Sequence, residues 1–76
     1  MTKTLDLTGL RCPIPVIRVE AAMRRAEAGD VIIAKADDPL ARLDIPHAAK
    51  AAGFACEETE ESGPEVAIFR LIAPKE

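Results

Sequence analysis

The chain has 76 residues, 49% of them hydrophobic and 30% charged, and its 13 acidic and 10 basic residues give a net charge of −3. This length and composition fit one globular domain, residues 1–76, with a small core, and they exclude a disordered chain. The acidic balance and the absence of Trp and Tyr argue against direct binding of nucleic acid, which uses a basic surface and stacking aromatic side chains.

The first half of the chain predicts a strand, a helix and a second strand. Residues 4–7 alternate in polarity, which indicates a short strand with its two leucines facing the core. Apolar residues then recur at three- and four-residue steps from Pro13, which predicts a helix of about 16 residues that is stopped by Gly29. The continuous apolar run 31–36 indicates an interior strand.

The second helix ends at Gly53, but two starts are compatible with the sequence. Asp38 could cap a helix whose first position is Pro39, or Asp44 could cap a shorter helix that begins near Pro46. In the first case Pro46 would lie inside the helix, remove one hydrogen bond and bend the helix axis.

Two further strands, 54–60 and 66–72, follow the second helix and are joined by a Ser-Gly-Pro turn at 62–64. The order is therefore β-α-β-α-β-β. A right-handed crossover makes the first two strands parallel neighbours. The predicted fold class is α/β, in the form of an α+β two-layer sandwich with two helices packed on one face of a mixed four-stranded sheet.

The sequence LRCPIP, residues 10–15, places Cys12 at the start of the first helix. Pro13 and Pro15 suit a first turn, because N–H groups there have no acceptor within the helix. Free N–H groups, the positive end of the helix dipole and the adjacent Arg11 would favour a thiolate, which is the reactive form of cysteine. The alternative is that the two prolines simply start a helix and that Cys12 is an ordinary buried thiol.

The remaining cysteine and the single histidine are predicted to have no catalytic role. Cys56 follows Phe54 by two positions on a strand, so both side chains should face the core. His47 is expected at the surface. Two distant cysteines without a Cys-x-x-Cys motif predict no disulfide scaffold and no metal site, and they fit a reducing compartment.

Acidic residues are expected beside Cys12, because the carboxyl ends of parallel strands lie at the same edge of a sheet. Asp37 and Asp38 follow the second strand and could contact a partner, although capping and turn formation are favoured. On the first helix, Arg18 and Arg25 share one face. This face is either a basic docking surface, to which Ile17 would add an apolar contact, or simply a solvated one.

The beginning of the chain lacks the apolar segment of a signal peptide, and no stretch is long and apolar enough for a membrane span. We therefore expect a cytoplasmic protein without membrane contact.

Four segments, LDLTGLRCPIPVI, GDVI, ADDPLARLDIP and AAGF, resemble in order and spacing the TusA (SirA-like) family of sulfur carriers. The resemblance covers nearly the whole chain and implies the same two-layer sandwich. It implies that Cys12 carries sulfane sulfur as a persulfide, supported by a helix start that includes Arg11, Pro13 and Pro15, with no cofactor and no metal.

The resemblance also implies partners. A cysteine desulfurase or a rhodanese-like donor would load Cys12, and a downstream sulfur-relay acceptor protein would take the sulfur for tRNA 2-thiouridine modification, molybdenum-cofactor maturation or sulfur oxidation. Partner contacts map onto Ile17, Arg18, Arg25 and Asp38. A monomer is expected, because a shuttle docks two partners in turn. The alternative is a non-catalytic binding or regulatory module in which Cys-Pro-x-Pro only starts a helix.

Overall fold

A computed structural model describes residues 1–75 and contains the six predicted elements. They are β1 (Thr2–Asp6), α1 (Ile14–Arg25), β2 (Val31–Ala36), α2 (Ala41–Ala51), β3 (Ala55–Glu58) and β4 (Ala67–Ile72). The four strands form one sheet in the order β1-β2-β4-β3. β1 pairs with β2 in parallel, and β4 is antiparallel to both β2 and β3. The predicted fold class and element order are confirmed.

The two central strands have one buried and one open face, as alternation along a strand requires. In β2, Ile32, Ala34 and Ala36 are buried. In β4 the same holds for Ala67, Phe69 and Leu71, whereas Arg70 is exposed on the opposite face, as predicted. The buried face packs against both helices, and the core is completed by Leu7, Val19, Ala22, Met23, Ala41, Ile45, Ala48 and Ala49.

The first helix is shorter than the sequence predicts. It has 12 residues and ends at Arg25, because Ala26 adopts an extended backbone with ψ of 145°. Gly29 has a positive φ of 82°, but it lies in the next turn and does not cap the helix. That turn is closed by Asp30, whose carboxylate accepts a hydrogen bond from the Glu27 N–H at 2.9 Å. The predicted stop at Gly29 is therefore wrong.

The second helix starts close to the first of the two predicted positions. Asp38 precedes the helix and accepts two backbone N–H groups, that of Leu40 on its carboxylate at 3.2 Å and that of Ala41 on its carbonyl at 2.9 Å. The first helical residue is Ala41, two positions beyond Pro39. The N-cap is Leu40, which makes no side-chain cap bond. Asp38 closes the turn before the helix, and the predicted cap at Asp38 is wrong.

The start of α2 at Ala41 determines where Asp44 and Pro46 lie in the helix. Asp44 lies in the first turn instead of capping it, and Pro46 lies inside the helix; the predicted bend at Pro46 stays a prediction. The helix ends at Ala51, and Gly53 stops it as expected, with a φ of 81° and its N–H bonded to the Lys50 carbonyl at 3.1 Å. This left-handed glycine is the usual end of a helix. Within residues 1–75, no helix is long and apolar enough to cross a membrane.

Candidate functional site

Two loops meet at the edge of the sheet where the parallel strands β1 and β2 end. The first loop turns at Gly9, which has a φ of 84°, and leads to Cys12. The second contains Asp37 and Asp38. The Asp37 carboxylate accepts hydrogen bonds from the Gly9 N–H and from the Arg11 guanidinium, both at 3.0 Å. The prediction that these two acidic residues lie near Cys12 is confirmed.

Asp38 fastens the backbone of Cys12 to the start of α2. Its side chain is buried, with 6% of the residue exposed. One carboxylate oxygen accepts the Cys12 N–H at 2.5 Å, and the other accepts the Leu40 N–H at 3.2 Å. Because a buried carboxylate needs hydrogen-bond partners, both oxygens are used structurally. This geometry agrees with the turn-formation interpretation and leaves Asp38 little surface for a direct partner contact.

The Cys12 thiol is exposed at the junction of the two helices. Cys12 directly precedes Pro13, the N-cap of α1, and the peptide bond between them is cis. A small cleft around the sulfur is lined by Pro13, Pro15 and Val16 on one side, and by Asp38, Ala41 and Asp44 on the other. The Sγ atom lies 3.7 Å from a carboxylate oxygen of Asp44. The thiol is therefore accessible and has an acidic neighbour.

The pKa of Cys12 is raised, contrary to the prediction from the helix start. The causes are loss of solvation, then the hydrogen bond and charge of Asp44, then the charge of Asp38. Several of the groups expected to favour a thiolate are absent or engaged elsewhere. The two prolines have no N–H, the Ile14 N–H donates to the Arg11 carbonyl at 2.9 Å, and the Arg11 guanidinium pairs with an aspartate. The surroundings of free Cys12 therefore favour the thiol over the thiolate.

A family model described as "Sulfurtransferase TusA" matches residues 3–71 of the chain. The chain belongs to the TusA family. A relative from Archaeoglobus fulgidus, described as "Putative sulfur carrier protein", is 40% identical over 74 residues and covers 97% of this chain and 96% of its own length. The crystal structure of a SirA-like protein from Desulfitobacterium hafniense matches with a TM-score of 0.82 at 32% identity, covering 95% of this chain and 97% of that chain. The resemblance read from the sequence is confirmed.

The helices on either side of the thiol in this TusA-family domain carry partner-contact candidates that the sequence predicted, and others that it did not. Ile17 is 50% exposed in the first turn of α1, and Arg18 is exposed beside it. Arg25 is exposed as the last residue of α1, about 16 Å along the helix axis from Ile14, and lies away from the thiol. Four large apolar side chains at the starts of the two helices are open to solvent, and we call them the apolar rim: Ile14, Ile17, Leu40 and Leu43. The two leucines were missed, because leucines in a helical pattern are normally assigned to the core.

The other two residues weighed from the sequence lie apart from this TusA-family site. Cys56 is half-buried on β3, opposite Leu71 of β4, and it packs against the core. Burial, followed by the charge of Glu57, raises its pKa. His47 is exposed. Within residues 1–75, no group of three or more His, Cys, Asp or Glu side chains is arranged to hold a metal ion.

Asp37 should make the stability of the domain depend on pH in acid. Its pKa lies below the ordinary value of 3.8, because the Gly9 N–H and the Arg11 guanidinium bond to the charged carboxylate. The stabilisation is fully present above the unfolded pKa and is lost as the pH falls through the lowered folded pKa. The stability deficit of Asp37→Asn relative to wild type should thus be constant at neutral pH and shrink below 3.8, as measured by urea unfolding. A deficit that persists unchanged in strong acid would contradict this role.

Proposed function

We propose that this protein is a sulfur carrier that accepts sulfane sulfur as a persulfide on Cys12 and passes it to a downstream relay protein in the cytoplasm. Membership of the TusA family supports the carrier role in general. The observation that carries the assignment to Cys12 is that its thiol is exposed while its backbone N–H is held by buried Asp38 at 2.5 Å. A carrier needs a sulfur atom that partners can reach, on a backbone that stays in place.

The chemistry is exchange between a thiol and a persulfide. The Cys12 thiolate attacks the outer sulfur of a donor persulfide, a bond forms from Sγ to that sulfur, and the donor's sulfur–sulfur bond breaks. The donor cysteine leaves as a thiolate and takes up a proton to replace the one that Cys12 lost. In delivery, an acceptor thiolate attacks the outer sulfur and Cys12 leaves. No external oxidant or reductant is needed, because the sulfane sulfur moves without a change in oxidation state.

Partners would dock around the thiol on the exposed side of α1 and the start of α2. Arg18 and Arg25 would attract an acidic partner surface and speed encounter, and the apolar rim would provide the part of the interface that excludes water. Asp38 would contribute by holding Cys12 and Leu40 in position. A cysteine desulfurase or a rhodanese-like protein is the proposed donor, and the acceptor would serve tRNA 2-thiouridine modification, molybdenum-cofactor maturation or sulfur oxidation. We propose that the carrier acts as a monomer.

Intact-protein mass spectrometry after incubation with a cysteine desulfurase and cysteine tests this function. Wild type and Cys56→Ser should gain the mass of one sulfur atom, which a reducing agent removes, whereas Cys12→Ser should gain none. Circular dichroism of Cys12→Ser serves as the folding control, because substitution of an exposed side chain should leave the fold intact.

A rhodanese with thiosulfate is the second donor arm of the experiment. No mass gain from either donor would overturn the carrier function and leave the binding or regulatory module. A gain that persists in Cys12→Ser and is lost in Cys56→Ser would move the persulfide to the other cysteine.

A further inference from the structure

A carboxylate faces the Cys12 thiol from the first turn of α2. The nearest oxygen of Asp44 lies 3.7 Å from Sγ, within reach of an S–H···O hydrogen bond in which the thiol donates. Asp44 is half-buried against the same small cleft as the thiol. Among the hydrogen bonds of residues 1–75, this thiol is the one partner of the Asp44 carboxylate.

The other charged groups around the sulfur do not offset this carboxylate. On the side of α2, Asp38 adds a second negative charge, and its oxygens already accept two backbone N–H groups. On the side of the first loop, the Arg11 guanidinium is directed at Asp37 at 3.0 Å. The charged groups that face Sγ directly are therefore acidic, and a thiolate formed there would be repelled by at least two carboxylates.

We propose that Asp44 is a positioning residue that holds free Cys12 as a protonated thiol, and that a partner releases the thiolate by placing a cation against this carboxylate. The inference rests on the proposed sulfur-carrier function and concerns the regulation of the same site. A small oxidant or alkylating agent brings no such cation and meets the less reactive thiol form. A sulfur donor with a Lys or Arg beside its own persulfide would neutralise Asp44 on docking and meet the thiolate.

Removal of the Asp44 charge changes the alkylation rate of Cys12 in two opposing ways, and together they set the expected size of the change. Lowering the pKa of a thiol by about one unit raises its thiolate fraction at neutral pH about tenfold, but it also lowers the intrinsic nucleophilicity of the thiolate about threefold. Removal of the Asp44 charge should therefore raise the alkylation rate at neutral pH about threefold and shift the midpoint of the pH–rate profile to lower pH.

The test is a pH–rate profile for iodoacetamide alkylation in a Cys56→Ser background, where Cys12 is the remaining thiol. Asp44→Asn removes the charge and keeps an oxygen that can accept the S–H, so its midpoint should fall. Asp44→Glu keeps the charge and should stay close to wild type. Glu20→Gln, on the exposed surface of α1, removes one negative charge elsewhere and is the matched control. Urea unfolding of each variant shows that the fold is retained.

Two results would overturn the inference. If the midpoint of Asp44→Asn coincides with that of Glu20→Gln, Asp44 does not hold the proton. If Asp44→Asn accelerates loading by the desulfurase as much as it accelerates alkylation, the partner uses no cation against this carboxylate. Failure of the carrier function is a separate result, because it would appear as absence of a persulfide on wild-type protein whatever the alkylation profile.

Discussion

Replacement of Asp38 by alanine is expected to lower the free energy of unfolding by about 3 kcal/mol. The substitution removes the acceptor of two backbone N–H groups, those of Cys12 and Leu40. Asp38 is almost fully buried, so water does not simply replace its oxygens. An unsatisfied buried donor costs about 1 to 3 kcal/mol, and this variant leaves two N–H groups from part-buried bonds without an acceptor.

Urea unfolding of Asp38→Ala and Asp37→Ala provides a comparison within one loop. Asp37 also accepts a backbone N–H and pairs with an arginine, but it is more exposed than Asp38. Asp37→Ala should therefore lower the free energy of unfolding clearly less than Asp38→Ala does. If both variants lose the same free energy of unfolding, burial of Asp38 is not the source of the stabilisation that it provides. Sulfur loading of Asp38→Ala should also slow, because the Cys12 backbone loses its attachment to α2.

Replacement of Leu71 by alanine is expected to lower the free energy of unfolding by about 3 to 4 kcal/mol. Leu71 is completely buried on β4 and lies between Ile32 of β2 and Cys56 of β3 in the sheet. Truncation removes the apolar area of the side chain and leaves a cavity that a sheet of fixed register cannot fill. Small domains have total stabilities of about 5 to 15 kcal/mol, so this change is a large fraction of the whole.

Leu43→Ala is the matched control for Leu71→Ala, since the chemical change is the same at a residue that is 71% exposed. Its free energy of unfolding should stay within about 0.5 kcal/mol of wild type. Chemical denaturation with a common slope for all three proteins is the measurement. If Leu43→Ala and Leu71→Ala lower the free energy of unfolding by similar amounts, the core does not depend on the contacts of Leu71 with its neighbours in the sheet.

The sequence predicts the architecture because each element has its own local pattern. The two central strands alternate or run apolar, and Gly53 marks the end of α2. The end of α1 was predicted too late, because residues 26–28 are Ala, Glu and Ala, which continue a helical pattern. What ends the helix is the extended backbone of Ala26 and a turn closed by Asp30. Such contacts between a carboxylate and a backbone N–H have no periodic signature.

The position of the Cys12 thiol could likewise be predicted from the sequence, but the direction of its pKa shift could not. The proline pair and the parallel strands indicate where Cys12 lies and that Asp37 and Asp38 are near it. The direction of its pKa depends on Asp44, which is 32 residues away in sequence. That contact depends on how α1 and α2 pack, and the helix-start argument considered only local groups. The two starts of α2 left open from the sequence, at Pro39 or near Pro46, do not show which side chains of α2 face Cys12.

If the protein is the proposed carrier, the attachment of the Cys12 loop through its main chain has a consequence for the direction of sulfur transfer. Neither the Cys12 N–H bond to Asp38 nor the Gly9 bond to Asp37 involves the sulfur atom, so the added atom of a persulfide disturbs neither. In the proposed carrier, the free and the persulfide forms keep the same main-chain bonds in this loop, and a partner distinguishes them at the sulfur and at its contact with Asp44. On this proposal, the net direction of transfer is set by the leaving ability of the two cysteines that exchange the sulfur and by which partner binds next, and it needs no change in the backbone of the Cys12 loop.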